Sequence, residues 1–149
     1  MNDPIAILKR DHREAAVMLK TLASSKRGAA RRKMNAKLVD ALLLHMEIEE
    51  ELVYPLVTKL VGAEESREAE LEHGLARDGL AKMQELVDEP GYGAAVAMVT
   101  AGIKHHVKEE ETEVFPDLKS KLDRDTLGDL GDAVVERKQP RRVRRGASS

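Results

Sequence analysis

The stretch HMEIEEELVYP at residues 45–55 decides the fold because it recurs, as HVKEEETEVFP, at residues 106–116. The shared residues are His45, Glu49, Glu50, Val53 and Pro55, which correspond to His106, Glu110, Glu111, Val114 and Pro116. The same offset of 61 residues relates His12 to His73 and Asp11 to Glu72. Four of the five histidines therefore belong to one two-fold repeat of the form His … His-x-x-x-Glu, and an internal repeat constrains the architecture more than any single motif does.

The composition predicts one helical domain. A chain of 149 residues can bury the core of a single domain, and its abundant Ala, Leu, Glu, Lys and Arg favour helices. The absence of cysteine excludes disulfides and thiolate chemistry and is compatible with a reducing cytosol. The N-terminus lacks the pattern of a signal peptide, and the longest uncharged stretch, residues 90–103, is too short to span a bilayer. We therefore expect a soluble, cytoplasmic protein.

The net charge of −2 is unevenly distributed. Six basic residues lie between positions 137 and 145, and without them the chain carries 19 basic and 27 acidic residues, a net charge of −8. An acidic body does not favour nucleic acid as a partner. We expect residues 139–149 to form a disordered basic tail, which is either simply solvated or binds nucleic acid or anionic surfaces weakly.

Residues 1–138 carry the periodicity of four long amphipathic helices and a short fifth one. Asp3 and Pro4 predict an N-cap and first turn, and Pro55 is expected to kink the second helix. The predicted helices cover about residues 4–24, 29–60, 64–88, 94–122 and 125–138. Short connections between long helices predict an all-α, up-down-up-down four-helix bundle with a short C-terminal helix.

Each long helix carries a histidine within its aliphatic stripe, and the second and fourth helices add a glutamate one turn later. The six residues are His12, His45, Glu49, His73, His106 and Glu110. A single inward histidine is usually a hydrogen-bonded core residue, and a single His-x-x-x-Glu is usually a surface pair. Together, however, buried carboxylates at one level of a bundle require a compensating cation. Six nitrogen and oxygen ligands without thiolate predict first-row metals rather than one tetrahedral zinc, and two metals with bridging glutamates would use every group.

This pattern, over about residues 3–137, resembles the hemerythrin-like (HHE cation-binding) family, whose signature the same six residues match. The resemblance implies a non-haem di-iron centre, two Fe ions with an oxo or hydroxo bridge, inside a four-helix bundle. The oxygen-carrying branch of that family has a further histidine where this chain has Arg77. Six-coordinate irons would then keep about two open positions, which favours reaction with a small molecule over reversible storage.

Four further residues have more than one interpretation. On an ideal helix Tyr54 lies about half a turn from His45, but the following proline biases it away from helical geometry. Its ring therefore either packs as an ordinary aromatic or turns inward as an additional ligand or outer partner. Glu50 and Glu111 either hydrogen-bond the ligand imidazoles or are surface charges. His105 has no counterpart in the repeat and is expected in solvent or outside the ligand shell.

The favoured hypothesis is a di-iron oxidoreductase that reacts with hydrogen peroxide or dioxygen species, most simply by catalase-like disproportionation during oxidative stress. The alternative is a protein that binds, senses or stores O₂, NO or iron without turnover, and a metal-free scaffold is a third interpretation. No catalytic residue separate from the metal centre and no organic cofactor site is expected, because the chain has no nucleotide-binding, Gly-x-Ser-x-Gly or His-Glu-x-x-His pattern. The expected partners are small molecules; the oligomeric state and the metal loaded in vivo stay open.

Overall fold

The computed structural model describes residues 2–140, and within this range every regular element is helical. The elements are α1 Pro4–Ala23, α2 Ala29–Ile48, the π-helical turn π1 Glu49–Val53, α3 Tyr54–Leu60, α4 Ala63–Glu85, α5 Tyr92–Glu109, the π-helical turn π2 Glu110–Val114, α6 Phe115–Lys121 and α7 Arg124–Arg137. Because π1 joins α2 to α3 and π2 joins α5 to α6 without a break, these segments form two long rods. Together with α1 and α4 they make the predicted four-helix bundle, which is confirmed, and α7 is the short C-terminal helix.

Local chemistry fixes where these helices begin. The Asp3 carboxylate accepts hydrogen bonds from the backbone N–H groups of Ile5 and Ala6, and proline occupies the first position of α1. Gly91, with φ of +96°, adopts the left-handed conformation that turns the chain into α5. Of the predicted disordered tail, residues 141–149 lie outside the described residues. None of the helices in residues 2–140 is long and apolar enough to cross a bilayer.

The core consists of two apolar clusters separated by a polar layer. The upper cluster includes Leu19, Leu22, Leu38, Leu42, Met83 and Val96, and the lower cluster includes Leu8, Ile48, Val57, Phe115, Leu118 and Val134. Along each long helix, the ligand-type histidine lies between residues of the two clusters. The bundle therefore places the repeat-derived residues at one level, enclosed above and below by aliphatic side chains.

The rod formed by α2, π1 and α3 differs from the predicted kinked α-helix. A π-helical turn precedes Pro55, and Tyr54 remains helical, with φ of −66° and ψ of −29°, so the expectation that the proline displaces Tyr54 from helical geometry is wrong. The Tyr54 N–H donates to the Glu49 carbonyl five residues earlier. This wider turn accommodates the proline ring and its missing N–H within the rod. The second copy of the repeat has the same wider turn at π2, where the Phe115 N–H donates to the Glu110 carbonyl.

The short helix α7 closes one end of the bundle. Leu130 and Val134 belong to the lower apolar cluster, and the Lys138 ammonium that follows α7 donates to both Asp11 carboxylate oxygens, at 2.7 and 2.8 Å. The α7 backbone also approaches the N-terminus so closely that a Cβ atom on Gly131 would overlap the Asn2 carbonyl.

This close approach predicts opposite effects for two Gly→Ala substitutions in helices. Gly131→Ala should lower the free energy of unfolding by about 1–3 kcal/mol, because the added methyl group has no room. Gly102→Ala, in α5, should raise it by about 0.5–1 kcal/mol, because a Cβ there meets no atom within 4 Å and alanine favours the helix. Urea denaturation of both variants measures the difference, and equal effects would contradict the described packing of α7.

Candidate metal centre

The bundle brings all six sequence-predicted residues together. Each imidazole directs its Nε2 atom toward one of the two carboxylates. The separations are 3.1 Å from His12 to Glu110, 3.2 Å from His45 to Glu49, 3.1 Å from His73 to Glu49 and 3.3 Å from His106 to Glu110. None of the six residues is more than 7% exposed. A dense, water-excluding group of ligand-type atoms therefore lies in the middle of the protein.

These atoms form two groups that share carboxylates. His12, His45, Glu49 and Glu110 offer one set of ligand atoms within 4.8 Å of one another, and Glu49, His73 and His106 offer another. Glu49 belongs to both groups. Glu110 directs Oε1 toward His12 and Oε2 toward His106. The geometry therefore gives two neighbouring groups of ligand-type atoms, each with two imidazoles.

Four buried polar atoms at this centre have no hydrogen-bond partner. They are His12 Nε2, His45 Nε2, Glu49 Oε2 and Glu110 Oε1. The His12 and Glu110 atoms lie 3.1 Å apart but are not aligned as a hydrogen bond. Each unsatisfied buried group costs about 1–3 kcal/mol. Several such atoms in one place are typical of a site whose side chains bind a cation. The donor set fits a metal.

Outside the ligand layer, each imidazole is oriented by a carboxylate. The Nδ1–H groups donate to Glu111 from His12 at 2.6 Å, to Asp11 from His45 at 2.9 Å, to Glu50 from His73 at 2.6 Å and to Glu72 from His106 at 2.7 Å. With Nδ1 as the donor, the neutral form of each imidazole presents Nε2 as the lone-pair atom that faces the centre, which is the arrangement that metal-bound histidines require.

The carboxylate partners answer one open question and reveal two residues that the sequence analysis missed. Glu50 and Glu111 bond imidazoles rather than serving only as surface charges. Asp11 and Glu72, which correspond through the 61-residue offset, do the same, although sequence reasoning gave them no role. The offset itself was the signal that could have identified them.

Positively charged and polar side chains of the protein lie outside these carboxylates and contact them. The Arg77 guanidinium donates to both Glu50 oxygens, at 2.8 and 2.9 Å, so it orients an outer partner instead of entering the centre. His105 is exposed and lies 3.4 Å from a Glu72 oxygen, outside the ligand layer.

Tyr54 reaches the centre in the half that contains His73 and His106. Its hydroxyl donates to Glu110 Oε2 at 2.6 Å and lies 3.1 Å from His73 Nε2 and 3.4 Å from His106 Nε2. The π-helical turn explains why the helical-wheel estimate failed. One residue added to a turn removes about 100° of rotation, so Tyr54 lies about 80° from His45 rather than about 180°.

The repeat-equivalent aromatic occupies the other half without a hydroxyl. Phe115 stacks parallel to the His12 imidazole, with ring centroids 6.1 Å apart, whereas Tyr54 lies 5.3 Å from the His73 ring. The two halves of the centre therefore share one framework, and their aromatic positions differ by a phenolic oxygen.

In the protein without a cation, the centre balances its charge with protons. Burial by itself lowers the pKa of His45, but the Glu49 and Asp11 carboxylates outweigh burial and raise that pKa to about 10. Burial likewise opposes protonation of His106, whose pKa the Glu110 and Glu49 carboxylates raise to about 11. Although burial raises the Glu49 pKa, the surrounding imidazoles hold it well below its usual range.

The comparisons with known proteins follow this geometry. The sequence model of the family described as Hemerythrin HHE cation binding domain matches residues 3–118, which is well over half of the chain. The chain belongs to the hemerythrin HHE cation-binding family. Its His/Glu cluster accordingly fits the metal site of a hemerythrin-like protein. Members of this family typically bind iron, and they bind small ligands such as O₂.

A solved structure shares the fold. The crystal structure of a hemerythrin HHE cation binding domain-containing protein from Mycobacterium kansasii superposes with a TM-score of 0.75 and 23% sequence identity, covering 92% of this chain and 85% of that one. At this identity the similarity establishes the HHE bundle alone. No curated protein matches the chain.

The raised histidine pKa values predict how this HHE domain responds to pH when it carries no metal. Protonated His45 and His106 stabilise the fold fully below the unfolded-state pKa of about 6.5, and this contribution disappears as pH rises through about 10 and 11. The free energy of unfolding in chelator should therefore fall between pH 7 and 10, by at most about 1.4 kcal/mol per pH unit for each histidine.

Urea titrations at several pH values measure this slope. The double variant His45→Gln/His106→Gln should flatten the slope, whereas the exposed control His105→Gln should retain it. A pH-independent stability of the unsubstituted protein would contradict the described charge balance.

Proposed function

We propose that this protein is a non-haem di-iron oxidoreductase that disproportionates hydrogen peroxide in a catalase-like reaction. The proposed iron ligands are His12, His45, Glu49, His73, His106 and Glu110. The observation that carries the proposal is the pair of ligand groups that share Glu49, because two cations joined by a shared carboxylate can act on one small molecule together.

The donor chemistry supports iron in this role. Imidazole and carboxylate ligands without thiolate suit first-row metals such as iron, and the family typically binds iron. The four buried atoms without hydrogen-bond partners all belong to the group formed by His12, His45, Glu49 and Glu110. Both glutamates and all four imidazoles would be satisfied by a pair of cations, whereas one cation would leave several of these atoms unpaired.

The reaction balances without a further reductant. One hydrogen peroxide accepts two electrons and two protons and becomes two waters, while a second peroxide gives up two electrons and two protons and becomes O₂. The iron pair, when bound, supplies and reclaims the two electrons. The chain itself provides carboxylates and a phenol that can hold protons at the centre.

Tyr54 is our candidate for an additional ligand in the half that contains His73 and His106. In the cation-free protein, burial and the Glu49 and Glu110 carboxylates raise the pKa of the Tyr54 phenol. A bound cation reverses this local effect, because its positive charge favours the anionic phenolate. The short contact of the hydroxyl with Glu110, at 2.6 Å, also provides an acceptor for the departing proton.

The cavity at the centre limits the substrate to a very small molecule. Its volume is about 20 Å³, whereas a single water needs about 10–15 Å³ on the same measure. Besides the four ligand-type histidines and Glu72, it is lined by apolar residues that include Ala15, Leu42, Met46 and Ile103. Peroxide, O₂ and NO match this size, and an organic substrate does not. A chain without cysteine suits the cytoplasm, where the protein would remove peroxide during oxidative stress.

The second candidate function is binding, sensing or storage of O₂, NO or iron without turnover. The enclosed and largely apolar cavity favours it, because such a cavity would also hold a diatomic gas. Against it, Arg77 contacts Glu50 and adds no ligand to the centre. A stable, reversible oxygen adduct of the ferrous protein, without peroxide turnover, would identify this function.

Iron-loaded protein should contain two iron atoms per chain and evolve O₂ from hydrogen peroxide. His45→Ala and Glu110→Ala should abolish O₂ evolution, because each removes a group that faces the cations. His105→Ala should keep full activity as a control that loses an exposed imidazole. An oxygen electrode and metal analysis measure these outcomes, and O₂ evolution no faster than that of free iron would reject the catalase-like reaction.

Tyr54→Phe should remove a visible absorption band from the iron-loaded protein without changing its iron content, because a phenolate ligand transfers charge to ferric iron. Tyr92→Phe is the matched control, since the buried Tyr92 hydroxyl donates to Asn35 at 2.8 Å, away from the centre. An identical visible spectrum for Tyr54→Phe and the unsubstituted protein would show that Tyr54 is not a ligand.

A further inference from the structure

The two-fold repeat fails systematically on one face of the bundle. Five acidic residues of the second half, Glu65, Glu68, Glu109, Glu113 and Asp117, stand where the first half has Pro4, Ile7, Ile48, Leu52 and Leu56. The repeat keeps the ligand-type residues in both halves, so the difference concerns what covers each half of the centre.

In the first half these positions are closed by the C-terminal helix. Ile7, Ile48 and Leu52 pack in the lower apolar cluster that also contains Leu130 and Val134 of α7. Lys138, just after α7, adds an ion pair with Asp11 at the same end. The helix α7 therefore shields His12 and His45 from solvent on this side.

In the second half the equivalent face is open and acidic. A cavity of about 310 Å³ lies between α4 and the α5–α6 rod. We call its six acidic residues outside the centre the acidic vestibule: Glu65, Glu68, Glu72, Glu109, Glu113 and Asp117. His106 and Glu110 of the candidate metal centre also line this cavity, so the vestibule runs from solvent to the ligand layer.

The vestibule carries negative charge that the rest of the described chain does not neutralise. Its outer carboxylates, those of Glu65, Glu68, Glu113 and Asp117, are exposed, and among residues 2–140 none of them forms a salt bridge with a lysine or arginine. At the inner end, Glu110 is 1% exposed and its Oε1 atom has no hydrogen-bond partner. Negative charge at the opening thus leads to a buried carboxylate whose Oε2 atom faces His106 and whose Oε1 atom faces His12 across the centre.

We propose that the acidic vestibule is the route, and a transient binding site, through which hydrated divalent cations reach the centre. The inference rests on the proposed metal centre. A volume of about 310 Å³ accommodates a cation with several waters, each of which needs ~10–15 Å³. Clustered charge of one sign in a cleft concentrates counter-ions and raises association rates by about 10–10³-fold. Carboxylate oxygens can replace the hydration waters stepwise before the imidazoles bind.

The test follows uptake of cobalt(II) by the metal-free protein in stopped flow, because cobalt(II) stays divalent in air and its visible absorption reports imidazole coordination. The test variant is Glu65→Gln/Glu68→Gln/Glu113→Gln/Asp117→Asn. The matched control, Glu14→Gln/Asp40→Asn/Glu85→Gln/Glu136→Gln, removes four exposed carboxylates that do not line the cavity.

At low ionic strength the test variant should take up cobalt about tenfold more slowly or worse than the unsubstituted protein, and the control should differ little. Both should reach the same final stoichiometry, and the rates should converge near 1 M salt, where the Debye length is about 3 Å. Equal rates in the test and control variants, with full final occupancy, would overturn the route and leave the metal centre intact. Failure of the unsubstituted protein to bind cobalt(II) or iron(II) would overturn both.

Discussion

The burial of two carboxylates in the middle of an aliphatic bundle is the constraint on which the rest of this structure depends. Glu49 and Glu110 are 0% and 1% exposed, and charges removed from water in this way are tolerated only when they are compensated. Imidazoles surround them, carboxylates hold the imidazoles, and Arg77 and Lys138 hold two of those carboxylates. The protein therefore builds alternating layers of charge from the centre to the surface. Such a core is not the most stable one available to a helical bundle, and its persistence in both halves of the repeat is best explained by a cation that it is built to receive.

The two π-helical turns connect the backbone to this chemistry. Each ends two residues before a proline and begins at the buried glutamate, so one local feature accommodates the ring and rotates the intervening aromatic residue toward the centre. An ordinary α-helix would point Tyr54 and Phe115 away from their histidines. π-helical turns are rare and concentrate at functional sites, and here their benefit is explicit. They allow two adjacent turns of one helix to supply both a carboxylate and an aromatic side chain to the same small volume.

Sequence reasoning predicted the bundle and the convergence of the six ligand-type residues because both follow from periodicity. The helical period of about 3.6 residues per turn and one internal offset place a histidine on each of the four long helical segments at a common level. The same reasoning failed for Tyr54 because it assumed a constant rotation per residue, and a single inserted residue in π1 changes every orientation that follows. It also gave Asp11 and Glu72 no role, since a carboxylate next to a histidine in sequence is normally a surface charge. Only the three-dimensional neighbours, His45 for Asp11 and His106 for Glu72, reveal that role.

The differences between the two halves of the repeat are as informative as their similarity. A strict two-fold arrangement would give two equivalent cation positions with equal access. Instead, the half with His12 and His45 has a phenylalanine ring and is covered by α7, whereas the half with His73 and His106 has the Tyr54 hydroxyl and borders the acidic cavity. Polar chemistry and solvent access thus occur together on one side of the centre. In the proposed centre with two cations, this inequivalence would hold the cation at His12 and His45 in a closed environment, while the cation at His73 and His106 would exchange ligands and protons with its surroundings.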